Sequence, residues 1–418
     1  MRFSLVDVRK LLGPLMLGHF LLPAAYAQLN NSVFEERYRL QPVDSNGLSL
    51  RLSGLGFLRN NEYFQNIIPG YTLFGQQVHV RLAYQPSGRV LLEAGAVVGK
   101  DFGNDRFTQL IPTFTVKYRK DSLSFLFGTL EGNLNHRLIE PLYGFERLIT
   151  RRAENGLQLV SHRRRLFLDC WIDWQRATYR RADYQEEISG GFSINYTLLE
   201  RAGFRLELPV QFVAFHRGGQ GLALRVPTPL TNRMNGAVGL SILPEPGGRG
   251  RRGVRSFRLD SYLVFAGNTA PARDDPFRLG SGWYTNLTLR TRILDVVASY
   301  WLANRFDWSQ GGDLYQSVDP ELVYPDSLQY RQRRLQAQFT ARMPAPVPPD
   351  FTVGYRYREP IRELLILRLV RDFRLAPALF LTARLEVVFR PDLDNLDYSQ
   401  GLYLTYRHEF PVTQLRSR

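Results

Sequence analysis

The sequence predicts an all-β protein, a transmembrane antiparallel up-and-down β-barrel of about 18 strands (16–18), with short periplasmic turns and long extracellular loops. Three observations predict it. Apolar and polar residues alternate with period two in run after run between Leu48 and Phe410. The links between these runs are short and long by turns, and the strand arginines keep to the polar face.

The chain opens with Arg2, Arg9 and Lys10, then an apolar run from Leu11 to Leu22, then Ala25-Tyr26-Ala27 before Gln28. That is the layout of a secretory signal peptide over residues 1–27, too short and too interrupted by Gly13, Pro14 and His19 to span a membrane as a helix. No later apolar run approaches the roughly 18 residues a spanning helix needs. A membrane protein of this sequence is therefore a closed barrel. Residues 28–47 form a periplasmic N-terminal segment, 48–410 the barrel and 411–418 a tail.

The formal net charge is +15. Removing Arg2, Arg9, Lys10 and Asp7 with the signal leaves +13, nearly all of it arginine, since Lys10, Lys100, Lys117 and Lys120 are the lysines of the chain. An exported chain has little occasion to meet nucleic acid, so no nucleic-acid partner is expected. The single cysteine, Cys170, excludes an intramolecular disulfide framework and a cysteine-based zinc site. Between Leu168 and Ile172 it reads as a small apolar strand residue.

The alternating runs follow in order. Leu48 to Leu58 is the first; Gln77 to Tyr84 places Val78, Val80, Leu82 and Tyr84 on one face, with Gln77, His79 and Arg81 on the other. Further runs continue to Arg334–Met343, Phe351–Arg358, Leu364–Phe373, Leu379–Arg390 and Gly401–Phe410. Successive side chains of a strand point to opposite faces, so each run has an oily side and a polar side. Short links such as Gln85–Gly88 and Arg119–Asp121 alternate with long ones such as Gly99–Thr108 and Leu130–Asn155. Two links break the alternation: Pro244–Ser256 is long where a short one is expected, and Glu359–Glu363 is short where a long one is expected. Tyr84, Tyr118, Tyr196, Phe373 and Phe410 fall on the apolar face at the short-turn ends, and Trp174, Tyr357 and Phe389 at the long-loop ends. Those positions suit aromatic girdles at two membrane interfaces. An arginine on the lipid face costs roughly 2–4 kcal/mol at the bilayer midplane, and the strand arginines sit opposite that face, Arg371 near a strand end excepted.

On these residues the chain resembles the Gram-negative outer-membrane β-barrel superfamily over Leu48–Phe410. Leu402, Leu404, Tyr406 and Phe410 look like the C-terminal aromatic signal read by the outer-membrane assembly machinery, although Pro411 to Arg418 follow it. The strand number and arginine-rich interior are similar to those of 18-stranded substrate-specific porins and alginate-export barrels. The resemblance implies residence in the bacterial outer membrane, outer-membrane lipid and the assembly machinery as partners, and no cofactor.

The functional expectation is a porin-like channel for passive passage of small, anionic solutes through an arginine-rich lumen. Rings of inward arginines bias a constriction toward anions. Arg334, Arg342, Arg356, Arg358 and Arg384 are the densest inward set and the expected pore lining. The loop Leu130–Asn155 is the expected constriction. Its charged residues, Glu131, His136, Arg137, Glu140, Glu146 and Arg147, are interspersed with Leu134, Leu138, Ile139, Leu142, Tyr143 and Phe145, which would be buried by folding into the lumen. The alternatives are an export or uptake barrel for an anionic polysaccharide, and a non-conducting barrel acting as adhesin or scaffold through its loops. An enzyme is not expected. Barrel hydrolases use a Ser/His pair with an orienting third group; only His79 among the histidines faces the lumen within the span, and nothing in sequence assigns it a serine. No metal-ligand spacing appears.

Overall fold

In the computed structural model the described residues are 31–40, 46–179, 184–201, 203–218, 230–244, 254–270, 277–319, 357–393 and 395–414. The proposed signal peptide lies outside them. The barrel begins with β1 (Gly47–Phe64), β2 (Pro69–Ser87), β3 (Val90–Asp101), β4 (Gln109–Lys120), β5 (Leu123–Thr129) and β6 (Asn155–Arg163). It continues with β7 (Leu166–Arg176), β8 (Glu186–Arg201), β9 (Phe204–Gly218), β10 (Thr231–Pro244) and β11 (Val254–Asn268). The last five strands are β12 (Leu279–Thr291), β13 (Asp295–Asn304), β14 (Ile361–Ala376), β15 (Leu379–Arg390) and β16 (Asn395–Gln414). Each strand pairs with its sequence neighbours, and β16 returns to β1, with Leu50 opposite Phe410, to close the ring.

The ring has sixteen strands, not eighteen. Residues 334–343 and 351–356, from the two surplus strands of the sequence reading, lie outside the described residues, and the ring closes without them because β13 pairs directly with β14, Asp295 opposite Val370. Tyr357 and Arg358 belong to the connection between those strands, where Arg358 forms an isolated bridge with Val318. The correction also removes one anomaly of the link pattern. With sixteen strands, β13 ends at Asn304 and β14 begins at Ile361, so the short link Glu359–Glu363 no longer stands between two wall strands and does not interrupt the alternation.

Period-two alternation decides which side of the wall each residue occupies. On β15, Leu381, Ala383, Leu385, Val387 and Phe389 face out while Thr382, Arg384, Glu386, Val388 and Arg390 face the lumen, where Thr382, Val388 and Arg390 are fully buried. Phe114, Phe127, Leu263 and Phe265 are each half-exposed or more on the outer wall. Exposed Tyr118, Tyr196, Phe373 and Phe410 mark the short-turn rim, and Trp174 and Trp283 the opposite one. A water-soluble sandwich would cover so continuous an apolar belt. A closed barrel wearing one is a resident of the bacterial outer membrane.

The interior is packed. The loop between β5 and β6 (130–154) folds inward, and Leu138, Ile139, Leu142 and Tyr143 join one buried cluster with Trp171, Val213, Tyr262, Tyr284 and Trp301 of the wall. The connection after β13 adds Phe306, Trp308, Leu314 and Tyr315 to the same cluster. Backbone groups of the inward loop find partners on the wall and on the connection after β13: Ile139 N donates to Gln211 Oε1 at 2.9 Å, and Trp308 Nε1 donates to the Leu142 carbonyl at 2.6 Å. Without such partners, each buried amide or carbonyl would be destabilising by about 1–3 kcal/mol.

The segment 31–40 lies inside the short-turn half of the barrel. Tyr38 N donates to Glu131 Oε1 at 2.7 Å, Lys117 Nζ to the Tyr38 carbonyl at 2.9 Å, and Arg384 Nη2 to Asn31 Oδ1 at 2.6 Å. Phe34 packs edge-on against Phe145 and Tyr403 at 5.6 and 5.4 Å.

Candidate functional site

The lumen holds two histidines in opposite chemical situations. His136 ends the short 3-10 turn Asn133–His136 of the inward loop and is completely buried. Its Nδ1 lies 2.8 Å from Asp169 Oδ2 on β7, and its Nε2 lies 2.8 Å from Glu154 Oε2. The ring stacks on Trp171 with centroids 3.7 Å apart and planes 17° apart. Both ring nitrogens facing carboxylates at that distance require both to donate, which makes the group an imidazolium. Burial alone would lower the pKa of this loop residue; the Asp169 and Glu154 charges outweigh it and raise it to about 10. Glu154, which burial would raise, is held down to about 2 by His136. Tyr143 OH donates to Glu154 Oε1 at 2.6 Å and Gln158 Nε2 to Asp169 Oδ1 at 2.9 Å, so the carboxylates are satisfied on their far sides. A cation so clamped has no lone pair to offer a substrate. Its role is to bolt the loop to the wall.

His79 on β2 is free to act as a base. Its Nε2 lies 3.1 Å from Thr113 Oγ1 on β4, and its Nδ1 lies 3.5 Å from Glu36 Oε2 on the segment 31–40. Arg152 holds Glu36 from the other side, Nη2 to Oε1 at 2.8 Å. The sequence separates the three groups, and the register brings them together. His79 is level with Val97 on β3, while Thr113 is level with Gly95, two residues away on the same inward face. Gly95 presents no side chain between them. A Cβ there would stand 2.0 Å from the Val80 carbonyl oxygen, so only glycine fits. The result is a hydroxyl, an imidazole and a carboxylate side by side, in which a proton carried on Nδ1 would leave Nε2 to accept from the Thr113 hydroxyl. His79 and Thr113 are both buried. Sequence reasoning had singled out His79 but looked for a serine; Thr113 and Glu36 carry no local signal and are reached only through the strand register.

The other residues singled out from sequence fall as follows. Arg384 reaches the lumen, where its guanidinium lies 4.0 Å from the Phe145 ring centroid and 4.9 Å from that of Phe34. Arg358 is on the connection before β14, not on a barrel strand. Arg334, Arg342 and Arg356 lie outside the described residues, so the described structure does not bring the five together. The six loop residues do converge inside the barrel. Glu131 meets Lys117 Nζ at 2.6 Å, Glu140 meets Arg368 Nη2 at 2.7 Å, and Glu146 meets Arg59 Nε at 2.8 Å. Arg137 and Arg147 lie over the rings of Phe167 and Tyr143 at 4.0 and 4.3 Å. Cys170 faces outward as an exposed strand residue.

No curated protein matches the chain in sequence. Among solved structures, it is similar to the outer membrane protein OprD from Pseudomonas aeruginosa (11% identity, TM-score 0.45, covering 88% of this chain and 95% of that one). It is similar also to a loop L8 deletion mutant of OmpT from Vibrio cholerae (8% identity, TM-score 0.46, covering 87% of this chain and all of that one). A BenF-like porin from Pseudomonas fluorescens Pf-5 is comparable (8% identity, TM-score 0.44, covering 88% and 100%). A family profile described as lipid A 3'-O-deacylase-type matches residues 40–415, which is the barrel from end to end. That match overturns the expectation that the chain is not an enzyme: the family is named for an ester-cleaving activity. The chain belongs to the lipid A 3'-O-deacylase-type family.

Proposed function

We propose that the protein is an outer-membrane acyl-ester hydrolase acting on a lipid A-type glycolipid, with its short turns in the periplasm, His79 as base and Thr113 as the hydroxyl it activates. The family match along the whole barrel carries the reading. The line Thr113–His79–Glu36 supplies the residues. Thr113 Oγ attacks the ester carbonyl as His79 Nε2 takes its proton; the sugar oxygen leaves with that proton, and an acyl-threonine forms. Water then attacks the acyl-threonine, giving its proton to His79 and restoring the threonine hydroxyl as the fatty acid departs. Glu36 keeps the imidazole in the tautomer that leaves Nε2 unprotonated and steadies the positive charge that develops.

The test is mass spectrometry of lipid A incubated with the refolded barrel in mixed vesicles. The wild type releases one O-linked acyl chain. His79→Asn and Thr113→Val lower the rate by about 10²–10⁴, the range of general-base contributions, while Thr113→Ser retains activity. Failure of the wild type to release any acyl chain, or full activity in His79→Asn, rejects the assignment.

A second reading, passage of small anionic solutes, is supported by an arginine-lined cavity of about 850 Å³ at the short-turn mouth. Its test is conductance in planar bilayers, with a reversal potential displaced toward anions in a salt gradient; a barrel that carries no current is not a channel.

A further inference from the structure

The cavity at the short-turn mouth is walled by the segment 31–40, the β6–β7 turn and the ends of β1, β8, β9 and β16. Twelve arginines line it against four glutamates. The glutamates are already engaged: Glu35 by Arg37, Glu36 by Arg152, Glu207 by Arg205 and Glu409 by Arg51. Arg163, at the end of β6, and Arg164 and Arg165 of the turn stand at the lip and are exposed; Arg164 reaches Glu200 only at 3.6 Å, and among the described residues no carboxylate approaches Arg163 or Arg165. Deeper in, Arg51 and Arg81 are nine-tenths buried and share Glu93, to which Arg51 donates directly and Arg81 Nη1 comes within 3.5 Å, while the Nε of each has no hydrogen-bond partner in the protein.

We propose that this cavity is a binding site for a multivalent phosphate anion. The proposal does not rest on the hydrolase reading. Concave walls of low dielectric focus the field of like charges and raise the local concentration of a counter-ion. Guanidinium groups offer forked donors matched to phosphate oxygens, so a ligand carrying several phosphates engages several arginines at once. A volume of about 850 Å³ holds a short polyphosphate or a phosphorylated sugar. The same chemistry is presented by a free polyphosphate and by the headgroup of a phosphorylated glycolipid.

The experiment is calorimetric titration of the detergent-solubilised full chain with inorganic tripolyphosphate, against chloride at matched ionic strength. A second titration uses a bisphosphorylated glycolipid and its dephosphorylated form in micelles. Tripolyphosphate is expected to bind at least tenfold more tightly than orthophosphate, and R163Q/R164Q/R165Q, confined to the exposed lip, to weaken it at least tenfold with the barrel still folded. Competition between tripolyphosphate and the bisphosphorylated glycolipid assigns the site to a headgroup; tripolyphosphate binding with no effect of the glycolipid assigns it to a soluble anion. Heat of binding no greater than that of chloride, or an unchanged affinity in the triple variant, overturns the proposal.

Discussion

Replacing His136 by alanine removes the cation from between two buried carboxylates. Asp169 keeps Gln158 and Glu154 keeps Tyr143 and the Asn133 amide, but both lose the charge that compensates them. Breaking a buried ion pair from one side destabilises by about 3–5 kcal/mol. The stacked face of Trp171 is stripped in the same step, so the estimate belongs at the upper end. A loss of 3–5 kcal/mol lowers the ratio of folded to unfolded barrel by roughly two to three and a half powers of ten. Guanidinium unfolding in lipid vesicles, followed by tryptophan fluorescence, measures it. The triple variant His136→Ala/Glu154→Gln/Asp169→Asn, which removes the negative charges too, should recover a substantial part of the loss. A His136→Ala barrel within 1 kcal/mol of wild type would refute the clamp, as would a triple variant no better than the single one.

The same clamp should give a pH signature. The folded-state pKa of His136 is raised above the ordinary histidine value, so its contribution is complete below about pH 6.5 and is lost as pH rises toward 10; that of Glu154 is lowered, so its contribution is complete above about pH 4.5 and is lost as pH falls toward 2. The stability gap between wild type and His136→Ala is therefore widest between about pH 4.5 and 6.5, and a gap that grows from pH 7 to 9 contradicts this. Gly95→Ala drives a methyl into the Val80 carbonyl, forces β2 from β3 and lengthens the His79–Thr113 contact. It should lower stability by about 1–3 kcal/mol and acyl release with it, and normal values of both in the variant would remove Gly95 from the account.

How much of this was legible in the chain depends on whether the information is local. Leu381, Ala383 and Leu385 against Thr382, Arg384 and Glu386 announce a two-faced strand, because each residue needs only its neighbours to be read. The number of strands is not local: 334–343 and 351–358 alternate like wall strands, and only the misplaced short link Glu359–Glu363 signalled that the ring closes without them. The inward loop was visible in its own apolar residues, from Leu134 to Phe145. Its anchor was not, since Asp169 lies 33 residues beyond His136 and Glu154 lies 18 beyond it. Thr113 and His79 are likewise 34 residues apart, and the glycine that lets them meet belongs to neither strand.

The longest strand, β16, is also the last, and it is bonded to the first, β1, from Gly47–Gln414 to Glu62–Tyr398. The seam is therefore the contact of greatest loop-closure entropy and the one whose second half is made last. Until β16 arrives, β1 and β15 both offer bare backbone edges to any passing strand. A nascent chain of this design can curl, but it cannot lock; the wall becomes a vessel only when the twenty residues of β16 slot home.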